Sequence, residues 1–138
     1  MLYKEKAGFT LFELMVVIII VAILGALGLP QFTKSKEHAL GREAIANLKL
    51  IAAAQRLYLM ETGSYYPVTP GTDSSIASIN SNLRLSIPNP AVSSSKNWNY
   101  SITDTASTFT ATATRTAGTI CSYTIDNNSE DPTTSTCP

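Results

Sequence analysis

Gly8–Pro30 reads GFTLFELMVVIIIVAILGALGLP. From Leu14 to Leu29 sixteen residues are apolar or glycine without a break, and one carboxylate, Glu13, stands immediately before them. As a helix, Phe9 to Leu29 would run about 31 Å, close to the roughly 30 Å hydrocarbon thickness of a bilayer. The stretch is therefore long enough to cross a membrane. A charged side chain in a bilayer core costs on the order of 2.5–3.5 kcal/mol on insertion scales, so Glu13 is read first as a functional residue.

The competing reading is an ordinary secretory signal, with a basic n-region, an apolar h-region and Ala26-Leu27-Gly28 as a small-x-small cleavage site. The mature chain would then begin near Leu29. Against this, a charge at the head of an h-region is unhelpful, and helical character continues past Pro30 instead of giving way to a loop. Glycine costs about 1 kcal/mol against alanine in a helix, and proline removes the bond to the carbonyl four residues earlier. Gly25, Gly28 and Pro30 thus make residues 23 to 30 the expected point of least helical stability, although Pro30 itself need not end the helix.

Outward from there, Leu40, Ala44, Leu48, Ile51, Ala52, Tyr58 and Leu59 fall at three- and four-residue steps, the pattern of a helix with one packed face. Glu61-Thr62-Gly63 supplies a glycine stop, and Pro67 is the first proline beyond it. The rod from Phe9 to Thr62 would be about 80 Å long. That exceeds any small globular core, so its N-terminal half must be buried in lipid or in copies of itself.

Tyr65-Tyr66-Pro67 is expected to turn the chain and pack aromatic rings beside the helix end. Residues 68 to 96 form a connector rich in serine, proline and asparagine, with Ile76, Ile79, Leu83, Leu85 and Ile87 as anchors. It admits a short helix around 74 to 83, whereas Pro88 and Pro90 exclude a regular element. The last third alternates with period two: Trp98, Tyr100 and Ile102, then Phe109, Ala111 and Ala113, then Cys121, Tyr123 and Ile125. Asp104 to Ser107 and Thr116-Ala117-Gly118 connect these runs. The expected fold class is α+β: about three short antiparallel strands, covered on one face by the second half of the long helix, with Trp98, Phe109 and Tyr123 in the core.

At 138 residues there is room for one compact domain and an embedded helix. Ten basic residues balance ten acidic ones, which argues against a nucleic-acid or anionic-surface partner. The balance is uneven along the chain: residues 31 to 62 carry five basic and three acidic side chains, residues 63 to 138 three and five. A mildly positive stem and a mildly negative head suit subunits stacked head beside stem, although scattered charges also simply solvate a surface.

Lys4 and Lys6 favour a cytoplasmic N-terminus, an argument blunted by Lys34 and Lys36 on the other side of the apolar run. That orientation places Cys121 and Cys137 outside, where a disulfide is the natural reading; their separation and the lack of a C-x-x-C pattern disfavour zinc. Such a bond would close a fifteen-residue loop and contribute roughly 3 kcal/mol in the chain-entropy model. Residues 126 to 138 could not otherwise hold themselves down by burial.

Within that loop Asp126, Asn127, Asn128, Glu130 and Asp131 offer oxygen ligands of the kind calcium takes, but the run lacks the glycine and terminal glutamate of an EF-hand loop and reads as a solvated acidic turn. His38 reads as a surface residue. No G-x-S-x-G, H-E-x-x-H or phosphate-binding glycine loop occurs, and nothing reads as an enzyme or calls for a cofactor. Serine and threonine make up 28 of the 76 residues from Gly63, which means either attached sugars or a polar exposed face. Phe9, Phe12 and Phe32 are read as packing between helices.

The run Lys4-Glu5-Lys6-Ala7-Gly8, followed by Phe9-Thr10-Leu11-Phe12-Glu13-Leu14, an apolar helix and Pro30, closely resembles the start of type IV pilins and of the pseudopilins of type II secretion. The resemblance covers about residues 4 to 66; Gly-Ser-Tyr-Tyr-Pro at 63 to 67 is also similar to the segment after the long helix in that family. It implies a pilin-like fold and cleavage between Gly8 and Phe9 by a prepilin peptidase that also N-methylates Phe9. It further implies that Glu13 neutralises the Phe9 amine of a neighbouring subunit, and that the helix from Gly25 to Pro30 stretches when the subunit leaves the bilayer for a filament. The partners implied are copies of the same chain, membrane lipid before assembly, and inner-membrane machinery driven by a cytoplasmic ATPase. The location implied is the bacterial inner membrane and then a periplasmic or extracellular filament.

On this reading residues 1–8 are a leader, 9–30 the membrane and filament-core helix, 31–62 its amphipathic continuation, and 63–138 the head. The cysteine pair resembles the disulfide-bounded C-terminal loop of many type IV pilins, whereas the short head leans toward a secretion pseudopilin, which more often relies on a calcium-bound loop. A membrane-anchored or exported binding module that does not polymerise stands as the alternative of another class.

Overall fold

A computed structural model describes residues 8–67, 71–89, 97–105, 107–118, 120–134 and 137. The first seven residues of the expected leader, residues 90–96 of the connector, and residues 135, 136 and 138 of the terminal loop lie outside the described residues. The elements run α1 (Leu11–Thr62), β1 (Gly71–Asp73), α2 (Ile76–Asn82), β2 (Trp98–Asp104), β3 (Phe109–Arg115), β4 (Ser122–Asp126) and β5 (Thr133–Thr134). Two compact units divide the chain, one ending at Glu37 and one running from His38 to Pro138.

In the first unit the described backbone is helical from Leu11 onward and passes through Gly25, Gly28 and residue 30 without a break. Its large apolar side chains stay uncovered, from 88% exposed at Leu11 to 38% at Val16. Among the described residues α1 is the one helix long and apolar enough to cross a membrane.

The second unit holds the core. Ala44, Leu48, Ile51 and Ala52 of α1 are buried, with Leu40, Tyr58 and Leu59 half-buried at the margin of the same face. Opposite them stand the inward residues of the sheet, and Trp98, Phe109 and Tyr123 are 3%, 1% and 7% exposed, as expected of core residues. Full burial of each such side chain contributes about 1.5–3 kcal/mol relative to exposure, and that gain holds this face of the helix on the strands. α1 ends where Gly63, at φ +81°, takes up the left-handed conformation and donates its N–H to Leu59 O at 2.8 Å.

The sheet is antiparallel and ordered β1-β2-β3-β4-β5. Among the described residues the expectation of about three strands is corrected to five. The three predicted strands form its centre, and the additions are edge strands of three and two residues. At that length neither carries a readable alternation, and β5 buries no side chain, so the burial pattern that reveals a strand is missing. The connector anchors fall into place: Ser75 caps α2, accepting from Ser78 N, and Ile76, Ile79, Leu83 and Ile87 are buried. The sheet's outer face is hydroxylic. Ser101, Thr112, Thr124 and Thr133 lie in register across four strands, and Thr124 and Thr133 share an Oγ1–Oγ1 hydrogen bond of 3.1 Å.

Candidate functional site

The first turn of α1 is organised by Thr10. Its Oγ1 accepts the Glu13 N–H at 3.1 Å and its carbonyl accepts the Leu14 N–H at 3.2 Å. Thr10-x-x-Glu13 ahead of an apolar run is a capping-box pattern, a signal legible in the sequence that the charge-pairing reading passed over. Glu13 thus sits in the first helical turn, where the positive end of the helix dipole favours a carboxylate, while remaining exposed to solvent or to another chain. Gly8 and Phe9 precede the helix outside any regular element, both exposed, Phe9 at 83%. The Gly8–Phe9 bond lies outside the helix. Gly25 and Gly28 meet nothing within 4 Å of where a Cβ would stand.

At the other end of the chain Cys121 and Cys137 form a disulfide with Cα atoms 4.9 Å apart. The same segment is fastened by the β4–β5 pairing and by Lys49 of α1, whose Nζ lies 2.5 Å from Asp131 Oδ1. Within the acidic turn Asp126 uses one carboxylate oxygen internally. Asp126 Oδ1 accepts from Ser129 Oγ at 2.7 Å, from Ser129 N at 2.7 Å and from Asn128 N at 2.9 Å. These donors, the Ser129 hydroxyl foremost, hold its carboxyl below the usual range. Asn128 Oδ1 accepts from Asn127 Nδ2, and Glu130 points to solvent. Among the described residues no three histidine, cysteine, aspartate or glutamate side chains converge as a metal site.

Between these two ends lie polar contacts that the sequence reading missed. Gln55, fully buried, donates through Nε2 to Tyr66 O at 2.6 Å and accepts Tyr66 N–H on Oε1 at 2.9 Å, next to a cis Tyr66–Pro67 bond. The Tyr66 hydroxyl donates to Asp73 Oδ2 and accepts from Asn82 Nδ2 at 3.2 Å. Burial, with Asp73 adding to it, pushes that phenol up to about 12. Asn47 Nδ2 donates to the Tyr100 hydroxyl at 2.8 Å, and burial pushes Tyr100 up to about 12 as well. Trp98 Nε1 donates to Leu40 O at 3.0 Å. Gly41 faces Tyr123 so closely that a Cβ would lie 2.7 Å from its hydroxyl oxygen. Tyr65 and Tyr66 pack as expected beside the helix end, against Phe109 and Tyr58.

Residues 3–29 match the model of the prokaryotic N-terminal methylation motif. The chain is 33% identical over 95 residues to the type II secretion system core protein G of Pseudomonas aeruginosa, an alignment covering 69% of this chain and 60% of the relative. It is 41% identical over 61 residues to the type IV major pilin protein PilA of Myxococcus xanthus, covering 44% and 28%. It is 31% identical over 70 residues to the core protein G of Escherichia coli, covering 51% and 48%. The chain spans less than two thirds of the length of each of these relatives. No solved structure matches it. The motif match falls on the N-terminal segment, and the chain as a whole has the α+β architecture, a long helix followed by an antiparallel sheet, that the resemblance implies.

Proposed function

We propose that this chain is a structural subunit of a type IV pilus-like filament, held in the inner membrane by residues 9–30 until assembly. A prepilin peptidase cuts after Gly8 and methylates the Phe9 amine, and assembly machinery driven by a cytoplasmic ATPase lifts the subunit into the fibre. The observation that carries this reading is that the apolar helix leaves its large side chains uncovered while the second unit closes a core of its own. Such a helix needs lipid or other helices around its whole circumference. The role is mechanical and architectural.

Glu13 is the residue on which ordered assembly turns in this reading. Its carboxylate meets the Phe9 amine of the subunit already in place, and a water-poor filament core strengthens that pairing and penalises an unpaired charge. Its place in the first turn, beside the chain start that cleavage creates, supports this role. Residues 25 to 30 are the part of the helix that yields on leaving the bilayer. A second reading, as a pseudopilin of type II secretion, is favoured by the relatives named core protein G; the Cys121–Cys137 bond leans the other way, toward a pilus subunit.

Mass spectrometry of the mature N-terminus, with electron microscopy of sheared surface material, tests the proposal. N-methylphenylalanine at Phe9 together with fibres containing this chain supports it, whereas a mature chain beginning near Leu29 sinks it. For Glu13, a Glu13→Leu chain that is cleaved, stays in the membrane and still assembles at the normal rate removes the pairing role.

A further inference from the structure

Among the described residues the large hydrophobic side chains that stand exposed all belong to α1 except one, Ile120, which is 82% exposed shortly before β4. A single exposed apolar residue is ordinary on a protein surface; the place of this one in the fold gives it meaning. Trp98 Nε1 donates to Leu40 O at 3.0 Å, Arg115 pairs with Trp98 across β2 and β3, and Arg115 N donates to Cys121 O at 3.0 Å. These contacts put the start of β4, and Ile120 with it, at the end of the sheet where the chain enters the second unit at His38. His38 follows the last residue of the apolar run, Leu29, by nine residues, about 14 Å as a helix. This end of the head is therefore tethered close to whatever surrounds the apolar segment.

Charge balance over the whole chain speaks against an anionic surface, but the fold sorts the charges by end. Asp104 closes β2, Asp126 closes β4 and Glu61 lies in the last turn of α1, all away from the entry. Arg42 and Arg115 stand at the entry, and Lys34 and Lys36 lie in the tether before it. Arg115 holds its guanidinium 5.4 Å from the centre of the Trp98 ring and donates through Nε to Ala117 O, which fixes a cation at the end that carries Ile120. Glu37 and Glu43, the carboxylates nearest the entry in sequence, are half-buried, and Glu43 accepts from Asn97 Nδ2 at 3.5 Å.

We propose that this end of the head is a docking surface for an anionic bilayer, with Ile120 entering the headgroup layer and Arg42 and Arg115 facing phospholipid phosphates. An apolar side chain beside cations suits that layer, because apolar burial and attraction to lipid charge add there. The tether supplies the proximity and the sorted charges supply the sign.

This rests on the reading of residues 9–30 as a membrane segment and adds a second contact with the same bilayer. Ala117→Cys, near Ile120, and Thr110→Cys, on the outer face at the far end of the sheet, are made separately in the full-length chain and given a nitrobenzoxadiazole label. Both are reconstituted into phosphatidylcholine vesicles with and without phosphatidylglycerol, with a headgroup-level spin-labelled lipid as quencher. The label at Ala117→Cys is expected to be quenched severalfold more than that at Thr110→Cys, more strongly with phosphatidylglycerol and less in high salt. Adding Ile120→Ser is expected to bring its quenching down to the level at Thr110→Cys while leaving Tm unchanged. Equal quenching at the two positions overturns the proposal, as does quenching at Ala117→Cys that Ile120→Ser leaves intact. A blue shift there that follows protein density instead of lipid composition assigns this end to a second copy and overturns it too. A chain that no longer floats with the vesicles after a high-salt wash fails the membrane reading, and this proposal with it. One that floats without quenching at Ala117→Cys loses the docking surface alone.

Discussion

Gln55 and Tyr66 close a two-bond ring across the end of the long helix, Gln55 Nε2 to Tyr66 O at 2.6 Å and Tyr66 N to Gln55 Oε1 at 2.9 Å. A carboxamide has one donor and one acceptor side, and here both meet main-chain groups that the chain reversal has withdrawn from helix and sheet. Gln55→Leu leaves those groups buried without partners, at about 1–3 kcal/mol each. Thermal unfolding of the detergent-solubilised chain is expected to show a Tm lowered by several degrees. Gln55→Glu is expected to keep the bond from Tyr66 N but to set a buried carboxylate oxygen against Tyr66 O, giving at neutral pH a drop at least as large.

Gly41 is a packing residue. Alanine in a helix interior is worth about 1 kcal/mol over glycine, yet here its Cβ would stand 2.7 Å from the Tyr123 hydroxyl. The Tyr123 ring is pinned against Trp98, centroids 5.6 Å apart. Overpacking of this kind costs on the order of 1–3 kcal/mol. Gly41→Ala is therefore expected to be destabilising, and adding Tyr123→Phe, which removes the obstructing oxygen, to restore most of the loss. A Gly41→Ala chain with a raised Tm would show that the helix has room to move.

The terminal loop depends on its covalent closure. β5 pairs through two residues whose side chains are exposed, and the Lys49–Asp131 pair is solvent-facing, so neither anchors the segment strongly. Replacing both cysteines by alanine is expected to cost about 3 kcal/mol. Proteolysis should then cut first within residues 126 to 138, while α1 and β2 to β4 keep their protection. Asp131→Asn, by contrast, is expected to shift Tm by little.

Alkaline pH should loosen the head before it unfolds the apolar helix. Tyr100 is pushed up to about 12 chiefly by burial, while an unfolded tyrosine titrates near 10. A folded-state pKa above the unfolded one contributes stability that is complete below about pH 10 and is lost as pH rises toward 12. Tyr66 acts in the same direction. Tm measured from pH 8 to 11.5 is expected to fall above pH 10, and Tyr100→Phe, with no proton to lose, to flatten that fall.

The parts of this molecule legible from its sequence are those where one physical rule acts over many consecutive residues. Sixteen apolar residues announce α1, and strict alternation through Trp98–Ile102, Phe109–Ala113 and Cys121–Ile125 places each of these side chains in the core. The N-terminal motif was readable for a related reason, several chemically distinct residues standing at fixed spacing. What escaped depends on single contacts between distant residues. Gln55 looks like any polar helix residue until Tyr66 returns beside it, and Gly41 looks like a weak point until Tyr123 is laid against it. The two edge strands escaped because pairing with a neighbour defines them, and their own side chains carry no periodic pattern.

The alternation of β3 writes two messages into one strand. Ala111 and Ala113 face the helix, where volume is fixed, while Thr110, Thr112 and Thr114 look outward beside the hydroxyls of β2 and β4. A change at an inward position alters the packing of the head, whereas a change at an outward one alters what a passing molecule encounters and, at Thr103 or Thr124, a single cross-strand hydroxyl pair. The head can therefore vary its appearance through nearly every second residue of its three central strands while its architecture stays the same. A population of such chains would be free to present many different surfaces on one scaffold.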